Sequence, residues 1–131
     1  MARRRRGEIL VVHRSAELGG YWHTIAGGVE AGETFAEAAV RELHEETGLT
    51  AAVHATGDFR YPLAEEPPER RALYEPGLTE VHVHCFLTDA PDDWEPTLDD
   101  EHVEYRWDAA ADAPGALFYP DVADALRQAL A

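Results

Sequence analysis

The chain has 131 residues, 45% of them hydrophobic, with 26 acids against 11 bases for a formal charge of −15. That apolar content suits one domain with a modest core and is too high for a disordered chain. So acidic a chain lacks the basic face that duplex binding needs, which excludes nucleic acid as the expected partner.

All 11 bases are Arg, so any side-chain grip on a phosphate falls to Arg or to a bound metal ion. No apolar run reaches membrane-spanning length, and Glu8 to His13 is too short for the core of a signal peptide. A cytoplasmic location with no membrane partner is expected. Cys85 is the single cysteine; its alternating apolar surroundings read as a buried core thiol.

In chain order, Arg3 to Arg6 and Gly7 read as a hairpin turn or free end ahead of a strand over Glu8–His13. Arg14–Gly20 is a loop ending in Gly-Gly, Tyr21–Ala26 a second strand, and Gly27–Glu33 a Gly-rich loop. The next segment, Thr34–Thr47, has the strongest helix signals. Thr34 and Glu37 form a capping box, and Gly48 stands at the C-terminal stop. Ala36, Val40, Leu43 and Thr47 share one stripe, expected to face the core, while Glu42, Glu45 and Glu46 fall on an adjacent arc. Ala51–Tyr61 is a strand with a break near Gly57-Asp58, and Pro62–Gly77 a long Pro-containing loop. A strand follows with Val81, Val83, Cys85 and Leu87 on one face and His82, His84 and Phe86 on the other. Asp89–Asp100 is acidic loop, His102–Trp107 a short strand, and Tyr119–Ala131 a closing helix with Val122, Ala125, Leu126 and Leu130 on one side. The order gives one domain over residues 1–131, α/β (α+β), with a mixed sheet flanked by helices.

Like charges three and four residues apart on a helix repel by roughly 0.2–0.5 kcal/mol per pair, so Glu42, Glu45 and Glu46 oppose the helix unless a cation joins them. Oxygen-rich clusters of this kind suit hard divalent ions such as Mg²⁺ or Mn²⁺. From Gly27 the chain reads GGVEAGETFAEAAVRELHEETGL. Gly27, Glu33, Arg41, Glu42, Glu45, Glu46 and Gly48 fill the seven fixed positions of G-x5-E-x7-R-E-U-x-E-E-x-G-U, with Leu43 and Leu49 at the aliphatic ones.

This stretch resembles the Nudix box. The resemblance implies the Nudix α/β/α sandwich with a mixed sheet. It also implies divalent-metal-dependent hydrolysis of a nucleoside diphosphate linked to another group, by water attack on phosphorus. It places the metal on Glu42, Glu45 and Glu46 with the Gly27 carbonyl. Arg41 would pair with Glu33 and the cluster, and Glu33 and Gly48 would support the site. Many members add one more Glu from a later loop. Glu101 fits that place, with Asp100 and Glu104 as competitors, so the catalytic set implied is Arg41, Glu42, Glu45, Glu46 and Glu101.

Outside the box the similarity is looser. Arg14 ends a strand like the family's and is a candidate phosphate contact. Ile25-Ala26 replaces the family's usual Leu-Pro. Either the family's first full strand is missing or the sequence starts too late to include it; losing it would leave a sheet edge unpaired or favour a homodimer through it. Several aromatic residues, Trp22 and Tyr61 among them, are candidates to stack on a substrate ring. His82 and His84 alone make a weak metal site. The stretches around Tyr21, Tyr74 and Glu101 are similar to the bacterial dihydroneopterin triphosphate pyrophosphatase subgroup. The expected partner is therefore a small nucleotide or pterin phosphate. The alternatives are a housecleaning hydrolase of damaged (deoxy)nucleotides and a non-catalytic nucleotide-sensing module, the latter disfavoured by the complete set of box glutamates.

Overall fold

The computed structural model describes residues 1–4 and 6–131. Within them the extended runs become six strands: β1 (Ala2–Arg3), β2 (Glu8–Arg14), β3 (Trp22–His23), β4 (His54–Pro62), β5 (Glu80–Asp89) and β6 (His102–Ala109). The helices are α1 (Phe35–Thr47), α2 (Pro68–Arg71), α3 (Ala113–Ala116) and α4 (Pro120–Leu130). Single 3₁₀ turns lie at Ala16–Leu18 and Leu63–Glu65.

The sheet is mixed. β6 runs antiparallel along one edge of β2; β1 and β3 share its other edge, against Ile9 and against Val12 and His13. β1 then pairs in parallel with β5, and β5 antiparallel with β4. Because β2 is central, both its faces are covered, and its side chains alternate between two cores. Ile9 and Val11 pack with Ala113, Leu117, Ala123 and Leu126 on the α4 side. Leu10 and Val12 face the other way with Trp94, Tyr105 and Trp107, and Leu43 of α1 packs beside them on Trp94 and Trp107. Helices thus cover both faces, an α/β/α layering.

The capping box on α1 is complete: Thr34 Oγ1 accepts from the Glu37 N–H at 3.1 Å, and the Thr34 N–H donates to Glu37 Oε1 at 3.0 Å. Gly48 ends the helix in the left-handed region, φ 82°, its N–H on the His44 carbonyl. The buried stripe differs from the expected one. Phe35, Ala36 and Glu37 are all exposed, so Ala36 of the expected stripe is not buried. Ala38, Leu43, Glu46 and Thr47 are the buried positions, which moves Glu46 from the exposed anionic arc to the packed side.

The N-terminal strand expected to be missing is present as β1. It fills the edge between β2 and β5, so the open edge on which the homodimer expectation rested is paired. The turn after it is closed by the Gly7 N–H on the Arg4 carbonyl at 2.9 Å; Arg5, within the Arg run, lies outside the described residues. The expected Tyr21–Ala26 strand shrinks to Trp22–His23, because the chain leaves the sheet edge to carry Gly27 against α1. A register shift between Ala55 and Gly57 marks the expected break in β4. The Pro62–Gly77 connection carries a 3₁₀ turn and α2 rather than plain loop. Among the described residues no helix is long and apolar enough to cross a membrane.

Candidate metal and phosphate site

Arg41 ties the Gly-rich loop to the helix. Its Nε donates to Glu33 Oε2 at 2.8 Å and its Nη2 to Glu33 Oε1 at 3.0 Å, a two-pronged match of guanidinium to carboxylate. Nη2 also reaches the Gly28 carbonyl at 2.7 Å, and Nη1 reaches Glu42 Oε1 at 2.9 Å and Glu45 Oε2 at 3.2 Å. Glu33 accepts further from the Glu30 N–H, and the Arg41 hydrogen bonds hold its carboxyl below the usual range. The guanidinium is therefore engaged within the protein.

The loop comes very close to the helix at Gly27. A Cβ there would lie 2.0 Å from Glu42 Cδ, so the position needs glycine for approach; its φ is not positive. Glu42, Glu45 and Glu46 then share one end of α1. Burial raises the Glu42 carboxyl, with Arg41 opposing. Glu46 is 1% exposed and neither of its carboxylate oxygens has a hydrogen-bond partner. Burial first, then the charges of Glu42 and Asp99, push it up to about 9.

The sequence reading missed two members of this cluster, Asp99 and His102. His102 is buried; its Nδ1 lies 2.7 Å from Asp99 Oδ1, and its Nε2, with no hydrogen-bond partner, lies 3.7 Å from Glu46 Oε1. One donor atom from each of Glu46, Asp99 and His102 falls within 4.8 Å of the others. The reason for the miss is a β-bulge. Arg14 pairs with His102 but His13 pairs with Glu104, so Val103 is an extra residue on β6. Plain alternation puts Val103 inside with Tyr105 and Trp107. The bulge instead turns Val103 out, 62% exposed, and His102 in.

Arg14, opposite His102 in the ladder, has a buried Nε without a partner, and its guanidinium carbon lies 5.6 Å from the Tyr21 ring centroid. Its charge favours the ionised form of Glu46, so it faces the cluster. Nearby His23 is held neutral by burial, pushed down to about 3. Glu101 is exposed at the rim. Its charge raises Glu46, while its backbone carbonyl accepts from the Ser15 N–H at 2.9 Å. Glu104 is exposed and opposite His13, one step further along the ladder.

The aromatic candidates fall elsewhere. Trp22 packs against the Ile9 core with Arg106 over its ring, and Tyr61 hydrogen-bonds Glu66. Trp107 is held by Arg4 over its ring and by Glu95 on its Nε1. The ring beside Arg14 is Tyr21, which in turn packs on Phe118 and Tyr119 with centroids 5.3 and 5.2 Å away. Phe118 and Tyr119 are 65% and 45% exposed. His82 and His84 stack with Phe35 near the start of α1, and His82 pairs with Asp58.

The donor set fits a divalent cation. It offers carboxylate oxygens on one helix end, two of them buried and unpartnered, with an unpartnered imidazole nitrogen beside them.

The chain matches the NUDIX domain family over residues 1–129. It is 38% identical over 109 residues to the octanoyltransferase of Myxococcus xanthus, covering 83% of this chain and 28% of that protein. It is 47% identical over 49 residues to the NAD-capped RNA hydrolase NudC of Pasteurella multocida (strain Pm70), covering 37% and 19%. It is 49% identical over 45 residues to the phosphatase NudJ of Escherichia coli (strain K12), covering 34% and 29%. The chain thus spans less than a third of the length of these curated relatives. Among solved structures, the E. coli dihydroneopterin triphosphate pyrophosphohydrolase superposes with a TM-score of 0.79 at 22% identity, over 98% of this chain and 90% of that one. The NUDIX domain of Shewanella oneidensis NrtR, solved with ADP ribose, superposes at 0.69 and 14% identity over 94% and 75%. At these identities the superpositions show the fold. With the family match over nearly its whole length, the chain belongs to the NUDIX domain family.

Proposed function

We propose that these 131 residues act as one catalytic domain that hydrolyses a nucleoside or pterin triphosphate, or a related diphosphate derivative, with Mg²⁺ or Mn²⁺. The observation that carries this reading is the pair of buried, unpartnered Glu46 oxygens at the end of α1 that also bears Glu42 and Glu45. These three carboxylates and the Gly27 carbonyl would hold the ion, while Arg41, Glu33 and Gly48 position them. The bound ion supplies neutralisation of the diphosphate and activation of water for in-line attack on phosphorus. Arg14 grips a phosphate oxygen, and Glu101 at the rim takes the proton of the attacking water. The bond from the water oxygen to phosphorus forms as the α–β anhydride bond breaks, so a triphosphate gives a monophosphate and pyrophosphate. The substrate's flat ring stacks on the aromatic group of Tyr21, Phe118 and Tyr119 next to Arg14, in preference to Trp22, whose face carries Arg106, and Tyr61, whose hydroxyl is bonded to Glu66.

A panel of nucleoside triphosphates, damaged nucleotides, pterin triphosphate and nucleotide sugars, assayed with each metal for phosphate and pyrophosphate release, tests this. Activity on a triphosphate that a chelator abolishes is the expected result. Inactivity across the panel, or activity indifferent to chelator, refutes it. A preference for oxidised or deaminated nucleotides selects the housecleaning reading instead.

A further inference from the structure

We propose that His102 is a nitrogen ligand to the divalent ion held at Glu46, with Asp99 fixing its ring, and that this makes the site prefer Mn²⁺ over Mg²⁺. The proposal rests on the reading that the α1 glutamates hold a divalent ion.

Three observations converge. First, Asp99 Oδ1 sits 2.7 Å from His102 Nδ1. With the ring N–H at Nδ1 donating to the carboxylate oxygen, Nε2 is the nitrogen left to meet a metal. Second, Nε2 has no hydrogen-bond partner, and neither does either Glu46 oxygen, of which Oε1 is 3.7 Å away. Two donors each about 2.1 Å from one ion can be that far apart, and a shared cation satisfies the buried oxygens and the nitrogen together. Third, the bulge at Val103 works against simple packing. It exposes a valine and buries an imidazole where alternation would do the reverse. Bulges that re-aim a side chain recur beside functional sites. Asp99 reinforces the arrangement by also accepting from the Glu101 N–H at 3.2 Å, which shapes the turn into β6.

The chemical consequence is metal choice. Mg²⁺ favours oxygen and water ligands, whereas imidazole suits transition ions, Fe, Ni, Cu and Zn best; of the two ions, Mn²⁺, at the start of that series, accepts a nitrogen ligand more readily than Mg²⁺. A site of carboxylates alone would discriminate less.

The test is pulsed electron paramagnetic resonance on the full chain loaded with Mn²⁺, alongside calorimetric titration with Mn²⁺ and Mg²⁺. The wild type is expected to show ¹⁴N modulation from a directly bound imidazole, replaced by a ¹⁵N signature when histidine is isotope-labelled. The His102→Gln protein should lose the nitrogen signal while still binding Mn²⁺, with its Mn²⁺-to-Mg²⁺ affinity ratio reduced by about tenfold or more. A His23→Gln protein should keep the signal. Wild-type Mn²⁺ without nitrogen coupling, or coupling that survives His102→Gln, overturns the proposal. The wild-type spectrum decides the matter even where His102→Gln does not fold. Loss of Mn²⁺ binding in Glu46→Gln with no nitrogen signal in the wild type leaves the glutamate site standing and removes His102. Mn²⁺ binding unaffected by Glu46→Gln removes the metal reading itself.

Discussion

Replacing Gly27 by alanine tests whether the loop's approach to α1 sets the position of Glu42. Gly27 does not have a positive φ, so the substitution brings no backbone strain. The new methyl would sit 2.0 Å from Glu42 Cδ and 2.1 Å from its Oε1. Reaching ordinary van der Waals separation requires Glu42 or the loop to retreat by more than an ångström. Glu42 is not free to swing, because its Oε1 accepts from Arg41 Nη1 at 2.9 Å and Arg41 is pinned by Glu33 and Gly28. A forced contact of this kind costs about 1–3 kcal/mol. Gly28 is the internal control: a Cβ there meets nothing within 4 Å, so Gly28→Ala should change stability by less than ~0.5 kcal/mol. Denaturant unfolding of the three proteins in chelator measures the stability difference, and calorimetric titration with Mn²⁺ reads metal affinity. Gly27→Ala should lose about 1–3 kcal/mol and at least tenfold in Mn²⁺ affinity, with Gly28→Ala near wild type on both. Equal behaviour of the two variants would show that Glu42 relaxes freely and that the close approach does not hold the site.

Three further outcomes are expected. In chelator, Glu46 folds with its carboxyl pushed up to about 9 from an ordinary 4.5, so its protonated form is favoured by folding and stability is lost as pH rises above 4.5. Between pH 4.5 and 7.5 the wild type should lose about 4 kcal/mol more than Glu46→Gln in unfolding experiments, and parallel pH profiles would refute the charge burial. Arg41→Lys cannot span Glu33, Gly28 and Glu42 at once, so turnover should fall by about tenfold or more, measured as kcat. Tyr21→Ala removes the centre of the aromatic wall beside Arg14, and steady-state kinetics should show KM raised by about five- to a hundredfold with kcat little changed.

The helical half of the site was legible because its signals are local. The Thr34–Glu37 capping box, the Gly48 stop and the glutamate spacing each act within one or two turns, and all three appear as read. The Arg41–Glu33 pairing was legible only through the family pattern, since the two stand eight positions apart across loop and helix. What local reading could not supply was the depth of Glu46. On a helical wheel it borders the apolar stripe, and only the layer packed against α1 decides on which side it falls. Nor could it supply His102, because period-2 reasoning assumes an unbroken ladder and the extra Val103 reverses inside and outside for one residue. The short β1 was obscured by length alone: two residues carry no periodicity, yet their pairing with both β2 and β5 joins the two halves of the sheet.

The two misses share a cause that bears on how the site works. Glu46 and His102 are both polar groups placed where their own elements would put apolar ones. Each retains unpartnered buried atoms that the protein itself does not satisfy. A buried carboxylate without a partner weakens a fold, and so does an imidazole nitrogen with none. The arrangement is coherent if both deficits are met by one positive charge. Binding that charge then recovers what folding gave up, and the binding free energy appears directly as stability. Arg14 cannot play that part alone. It lies on the opposite strand at the edge of the cluster, with the exposed aromatic wall beside it, which suits contact with an incoming phosphate. On the proposed function the division of labour would follow from charge: a chain of net −15 would meet an anionic substrate through a cation at Glu46 and an arginine beside it.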